Sequence, residues 1–194
     1  TGPNARLRAA GRATPGNDMR IVDEQMNELP RGKPGEIAIK GPSVMLGYWR
    51  KPEQTEAAVV DGWLRTGDAG YMDEEGFVFL VDRMKDMIVS GAENVYSAEV
   101  ENALSRHPAV LECAVIGIPS DQWGEEVHAI VRLREGQTVT DDELTNHVGE
   151  LIATYKRPRS YTFRNEPLPL SAVGKILKTE LRKPFWEGQA RRVG

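Results

Sequence analysis

Residues 61–97 read DGWLRTGDAGYMDEEGFVFLVDRMKDMIVSGAENVYS, and the fold turns on how this stretch is parsed. The apolar pairs Trp63-Leu64 and Tyr71-Met72 flank a TGD turn. Residues 77–81 are aromatic and β-branched, and Asp73-Glu74-Glu75-Gly76 before them is a hairpin turn. Apolar character then stops for Asp82, Arg83, Lys85 and Asp86, broken only by Met84, and resumes at Met87-Ile88-Val89. A charged knot of this kind is too costly to bury unpaired. It belongs at a surface, a domain boundary or a ligand; taken alone, it is an exposed loop between strands.

Upstream, residues 1–17 are rich in Gly, Pro, Arg and Ala and predict loop. Residues 19–22 predict a short strand. Residues 36–40, Glu-Ile-Ala-Ile-Lys, alternate at period two, the pattern of a half-buried strand. Pro52 opens a short helix that runs to about Val59. Short strands divided by Gly/Pro turns make residues 18–81 a β-rich unit. Downstream the texture changes. Ser97 is placed to cap a helix with Val100, Ala103 and Leu104 on one face, ended by His107-Pro108. Residues 110–118 and 127–133 predict strands. Thr140 and Glu143 form a capping box before a helix whose apolar face is Leu144, Val148, Leu151 and Ile152. Residues 161–163 predict a last strand, Gly174-Lys175 is the tip of a proline-braced loop, and residues 178–183 are a short helix. The expected class is α+β: a small β-rich subdomain, then a compact α+β domain.

The composition narrows the function classes. Of 194 residues, 40% are apolar and 28% charged, an ordinary globular balance, and the net charge of −4 gives no reason to expect nucleic acid or an acidic membrane. Apolar runs such as residues 114–118 are too short to span a bilayer, and the opening TGPNARLRAAGRATPG lacks an apolar signal core. Cys113 is the single cysteine, so no internal disulfide forms, and its apolar strand marks a buried structural thiol. One cysteine and three scattered histidines show no metal-ligand spacing. These features point to the cytoplasm.

TGD, then DR, then Lys two residues after Arg, then SGAEN before a helix resembles the adenylate-forming (AMP-binding) enzyme superfamily, the acyl-CoA synthetases and their relatives. The pieces GEIAIKGPSVMLGYW, GWLRTGDAGYMDEEGFVFLVDR, KDMIVSGAENVYSAEVE, HPAVLECAVIGIPSDQWGEEV, YKRP and LPLSAVGKILKTELR keep the family's order from about residue 35 to 183. The resemblance implies that residues 1–82 end a large domain, closed by a distorted β-barrel. Residues 83–86 would be a hinge and 87–194 a C-terminal lid domain. It implies an AMP-forming ligase that joins a carboxylic acid, expected to be a fatty acid, to ATP with loss of pyrophosphate. The acyl group then passes to the thiol of CoA. The family's phosphate loop, adenine-packing segment and Mg²⁺ ligands lie upstream of this sequence, so the chain alone is expected to be inactive.

The same resemblance assigns residues. Asp68 becomes the ligand of the nucleotide ribose; a carboxylate accepts through two oxygens and can hold two neighbouring hydroxyls, although an Asp beside Gly is ordinarily a turn former. Arg83 offers planar donors and closes over the ribose. Lys85 takes the hinge position, where the backbone absorbs rotation. Lys175 becomes the catalytic and nucleotide-binding lysine, its ammonium meeting the charge that grows on the α-phosphate. Gly91, Ala92 and Glu93 form the pantetheine loop, where glycine permits close approach; many relatives have a second glycine in place of Ala92. Trp123, Lys156 and Arg157 resemble CoA-contacting positions, the indole for stacking and the guanidinium for phosphate. Read without the resemblance, Trp123 packs and YKRP ends a helix. Alternatives within the family are an aryl-CoA ligase, a luciferase-like oxidase or a carrier-protein adenylation module, the last disfavoured by an ending in EGQARRVG with no carrier domain. The alternative of another class is a non-catalytic nucleotide-binding module, which Asp68, Arg83 and Lys175 together disfavour.

Overall fold

The computed structural model describes residues 9–188, so the loop expected over residues 1–8 lies outside the described residues. The chain divides into two compact units, one ending at Met84 and the other beginning at Lys85. The fold class is α+β, with a curled antiparallel sheet in the first unit.

In the first unit β1 (Asp18–Val22), β2 (Gly35–Lys40) and β4 (Trp63–Met72) form an antiparallel ladder. The short β3 (Val59–Val60) and then β5 (Val78–Arg83) pair in tandem with the other side of β4. Ile21, Ile37, Met72 and Val78 from these strands gather into one apolar cluster. Helix α1 (Pro52–Ala58) begins on its proline as expected and buries no residue. Asp73 builds the β4–β5 turn, its carboxylate accepting from the amides of Glu75 (3.0 Å) and Phe77 (2.8 Å).

Three features depart from the sequence expectation. The TGD stretch is not a turn between strands: β4 runs unbroken through it and absorbs it as an irregularity opposite Glu36 and Ala38. Asp82 and Arg83 do not break β5 but end it; only Met84–Asp86 leaves the strand, as a single 3-10 turn. Strand β2 is not half-buried by alternation, since Glu36, Ile37 and Ala38 are all buried in succession.

In the second unit β6 (Ile88–Ser90) and β7 (Glu93–Val95) make a small hairpin before α2 (Ser97–Leu104). A long hairpin follows, β8 (Val110–Ser120) and β9 (Gly124–Leu133), then α3 (Asp141–Leu151), β10 (Ser160–Phe163) and α4 (Lys178–Arg182). The sheet runs β10-β9-β6-β7, with β8 on the other flank of β9; β10 lies parallel to β9 and the remaining pairs are antiparallel. Helices α2 and α3 cover one face through Val100, Leu104, Leu144 and Val148, against Val115, Val127 and Val131. Leu168 and Leu181 cover the other face, over Ala114, Ile116 and Ile130. Burial on both faces explains why β8 reads as an apolar run rather than an alternating one. The Thr140–Glu143 capping box forms as expected. Ser97 is the first residue of α2 and not its N-cap, which is Tyr96, and α2 ends at Leu104, before the His107-Pro108 pair. Leu151 is 41% exposed and does not join the apolar face of α3. No helix among the described residues is long and apolar enough to cross a membrane.

Among the described residues β8 pairs with no strand but β9, so its outer edge needs other partners. Two side chains supply them. The Val115 amide donates to Glu101 Oε1 at 2.7 Å, and Trp186 Nε1 donates to the Gly117 carbonyl at 2.9 Å.

Candidate functional site

In the first unit the chemistry is organised by Glu36, only 4% exposed. A buried carboxylate survives only when paired and hydrogen-bonded. Arg65 Nε (2.8 Å) and an Arg65 terminal nitrogen (2.6 Å) both donate to Glu36 Oε2, and the Gly67 amide donates to Oε1 at 3.0 Å. Thr66 Oγ1 donates to the Ile37 carbonyl at 2.7 Å and accepts from the Asp68 amide at 3.2 Å. Side chains thus replace ladder bonds across the TGD stretch, and Gly67 takes the positive φ of 72° that the detour requires.

Asp68 leaves this detour opposite Arg83, its cross-strand partner. The Arg83 guanidinium lies 3.6 Å from Asp68 Oδ1, with the two side chains 54% and 38% exposed. Such a pair is weakly held and open to a ligand. A depression lined by Glu36, Tyr48, Arg65, Thr66, Gly67 and Met84 opens in the same unit. The structure therefore brings Asp68 and Arg83 together. Glu36 escaped the sequence reading because it occupies the polar phase of an alternating strand, which the period-two rule sends to solvent.

In the second unit the loop carrying Lys175 is a tight turn closed by its own backbone. The Ser171 amide donates to the Lys175 carbonyl at 2.7 Å, the Gly174 amide to the Ser171 carbonyl at 2.9 Å, and the Lys175 amide to Ser171 Oγ at 3.1 Å. Gly174 has φ 76°, as the turn requires. Lys175 itself is exposed. Lys85 is likewise exposed, in the 3-10 turn Met84–Asp86.

Gly91 turns the β6–β7 hairpin, with Ala92 and Glu93 exposed beside it. Its amide donates to the Trp123 carbonyl at 2.7 Å, and a Cβ at this position would stand 3.2 Å from the indole. Structure thus joins Gly91 and Trp123. It does not bring Arg157 to them. The Arg157 guanidinium folds onto the end of α3, donating to Thr154 Oγ1 at 3.3 Å and to the Gly149 carbonyl at 3.5 Å, over a glycine where a Cβ would overlap it. The cation on Trp123 is Arg159, 4.4 Å above the ring. Lys156 pairs with Glu99 at 2.6 Å. Proline at 158 separates the two arginines, and nothing in the sequence told which would meet the indole.

Two buried groups titrate abnormally. Burial pushes the Cys113 thiol up to about 12, so it stays protonated and is no nucleophile. Burial also holds His128 below its ordinary value, and its ring nitrogens lie 2.8 Å from Ser160 Oγ and 3.0 Å from Thr162 Oγ1. Among the described residues no group of His, Cys, Asp or Glu is arranged to hold a metal ion.

The AMP-binding enzyme family matches over residues 1–49, and the AMP-binding enzyme C-terminal domain over residues 99–175. A fatty acid–[acyl-carrier-protein] ligase of Streptomyces coeruleorubidus is 44% identical over 96% of this chain and 36% of its own length. A long-chain-fatty-acid–CoA ligase of Bacillus subtilis is 49% identical over 86% of this chain and 30% of its own. Among solved structures, ATP-bound MatB of Rhodopseudomonas palustris superposes with a TM-score of 0.83 at 39% identity, covering 92% of this chain and 36% of that one. The Bacillus subtilis o-succinylbenzoate CoA synthetase, in complex with its acyl-adenylate intermediate, does so with 0.80 at 37% identity, covering 97% and 37%. The chain therefore spans about a third of the length of the relatives it matches.

Proposed function

The chain belongs to the AMP-binding, adenylate-forming enzyme family, and on that premise we propose that it corresponds to the C-terminal part of an AMP-forming acid–thiol ligase whose acid is a fatty acid and whose thiol is CoA. The observation that carries this reading is the Asp68–Arg83 pair, set in register across β4 and β5 and left open to a ligand. Asp68 accepts from the ribose hydroxyls, and Arg83 turns its donors to the nucleotide's oxygens. A carboxylate oxygen of the acid attacks the α-phosphorus of ATP and pyrophosphate leaves. Lys175 meets the charge that grows there. The thiol sulfur then attacks the acyl carbonyl and AMP leaves. Lys85 is the pivot that separates the two steps. Gly91, Ala92 and Glu93 guide the pantetheine arm, Trp123, with Arg159 over its ring, faces the nucleotide end of CoA, and Arg157 is kept for a CoA phosphate. A fatty acid is favoured by the activities for which the Bacillus and Streptomyces relatives are named. A carrier-bound thiol is the second reading, favoured by the Streptomyces relative alone.

The test is made in the parent polypeptide, where this chain joins the segment bearing the phosphate loop. Lys175→Ala is expected to lower adenylation by on the order of a hundredfold, the effect of removing one transition-state charge partner. Transfer from a supplied acyl-adenylate should be largely spared. Equal loss in both half-reactions counts against the assigned role. Offering CoA and a phosphopantetheinyl carrier protein as rival acceptors decides the thiol.

A further inference from the structure

Helix α4 has five residues, Lys178–Arg182, far too few to hold a helix by propensity in water. Something else fixes it, and with it the Lys175 loop that leads into it. Leu181 supplies apolar contact on the sheet face. Two cations one turn apart supply the rest, and both are nearly buried. Lys178, its side chain 11% exposed, lies 2.7 Å from Glu101 Oε1 and donates to Ser97 Oγ at 2.7 Å, both on α2. Arg182, 8% exposed, donates to Asp86 Oδ1 at 2.8 Å, and Asp86 is itself only 15% exposed. Buried charges are retained only in paired, hydrogen-bonded settings, and removing one partner of such a pair is strongly destabilising.

We propose that Lys178 and Arg182 are positioning residues: they clasp α4 to the body of the second unit and so set the place of Lys175. Arg182 has the further effect of tying α4 to Asp86, the residue after Lys85. A turn of the backbone at Lys85 then carries the lysine loop with it as one rigid piece. Neither cation needs to touch a substrate. Ser97, read from sequence as a helix cap, finds its use here as the acceptor for Lys178. The proposal rests on the reading of Lys175 as catalytic and of Lys85 as pivot.

The test has two arms, on this chain and on the parent polypeptide. On this chain, hydrogen exchange is compared between the native sequence, Lys178→Met, and the double variant Asp86→Asn/Arg182→Met, which removes the charge of both members of that pair. The amides of Gly174, Lys175 and Leu177 should exchange at least tenfold faster, while those of β8 and β9 keep their protection. Unchanged exchange in the loop overturns the clasp. Uniform acceleration across the unit overturns it too, because that is loss of fold. In the parent, the double variant should lose at least tenfold in the turnover of adenylation at an unchanged KM for ATP, with transfer from supplied acyl-adenylate retained. Equal loss of both steps, or of neither, overturns the positioning role. Lys175→Ala run beside it separates the two readings: if adenylation survives that substitution, the catalytic lysine has been misassigned, and the clasp stands or falls on the exchange arm.

Discussion

The first unit packs Ile21, Ile37, Met72 and Val78 into one small cluster and leaves Leu46 at 105% and Trp49 at 84% exposure. The second buries both faces of its sheet, one under α2 and α3 and the other under Leu168 and Leu181. Where apolar burial is ample, it decides the geometry and charges are fitted around it. Where it is thin, a polar network has to hold the backbone, and Glu36 with Arg65, Thr66 and the Gly67 amide does so. Asp68, the proposed ribose ligand, sits on the thinly packed side, on a strand shaped by hydrogen bonds.

The contrast is broken most directly at the core. Leu144→Ala should cost the second unit roughly 2–5 kcal/mol, the range for truncating a fully buried leucine. Denaturant unfolding followed by unit-resolved hydrogen exchange should show the loss there, with the protection of β2 and β4 unchanged. A parallel loss in the first unit would mean that the two are not separate stability units. Glu36→Gln probes the other side. It weakens the pairing with Arg65, which is 31% exposed, and turns a group that accepts from Gly67 into one that also donates; the expected cost is about 1–3 kcal/mol, confined to the first unit. If instead the second unit's exchange responds, the polar network is not local.

The smallest effect is one of pH. All three histidines lie in the second unit, and burial lowers the pKa of His128 from its ordinary 6.5. Below that value the unfolded chain takes up a proton that the folded one refuses. Stability from this residue is therefore present above about pH 6.5 and declines as the pH falls toward the depressed folded value. Denaturation midpoints of the second unit should fall on going from neutral to mildly acidic buffer, and His128→Gln should flatten that slope. An unaltered slope would assign the pH response to carboxylates instead.

Much of this was legible in the sequence. Local composition and spacing located β1, β5, β8, β9, α1 and α3, and the capping box marked the start of α3, because each is a local signal. Asp68, Arg83 and Lys175 came from motif order, and the Asp68–Arg83 pairing then follows from the β4–β5 register. What failed was whatever depends on partners distant in sequence. The TGD stretch reads as a turn until Glu36, thirty-one positions from Gly67, is seen to hold it inside a strand. Ser97 reads as a cap until Lys178, eighty-one positions on, claims its hydroxyl. Arg157 and Arg159 are equivalent on the page of the sequence, and only the packing of Gly149 and Trp123 tells them apart.

The outer edge of β8 has a consequence for how the molecule behaves in company. A bare strand edge is a template on which another chain can add itself, the first step toward fibrous or swapped assemblies. At Val115 and Gly117 that template is already occupied, by Glu101 and by the indole of Trp186. A newcomer would have to displace a charged acceptor at 2.7 Å before gaining its first ladder bond there. The longest hairpin of the second unit is thereby kept from recruiting its neighbours at a position where its apolar content would otherwise make it adhesive.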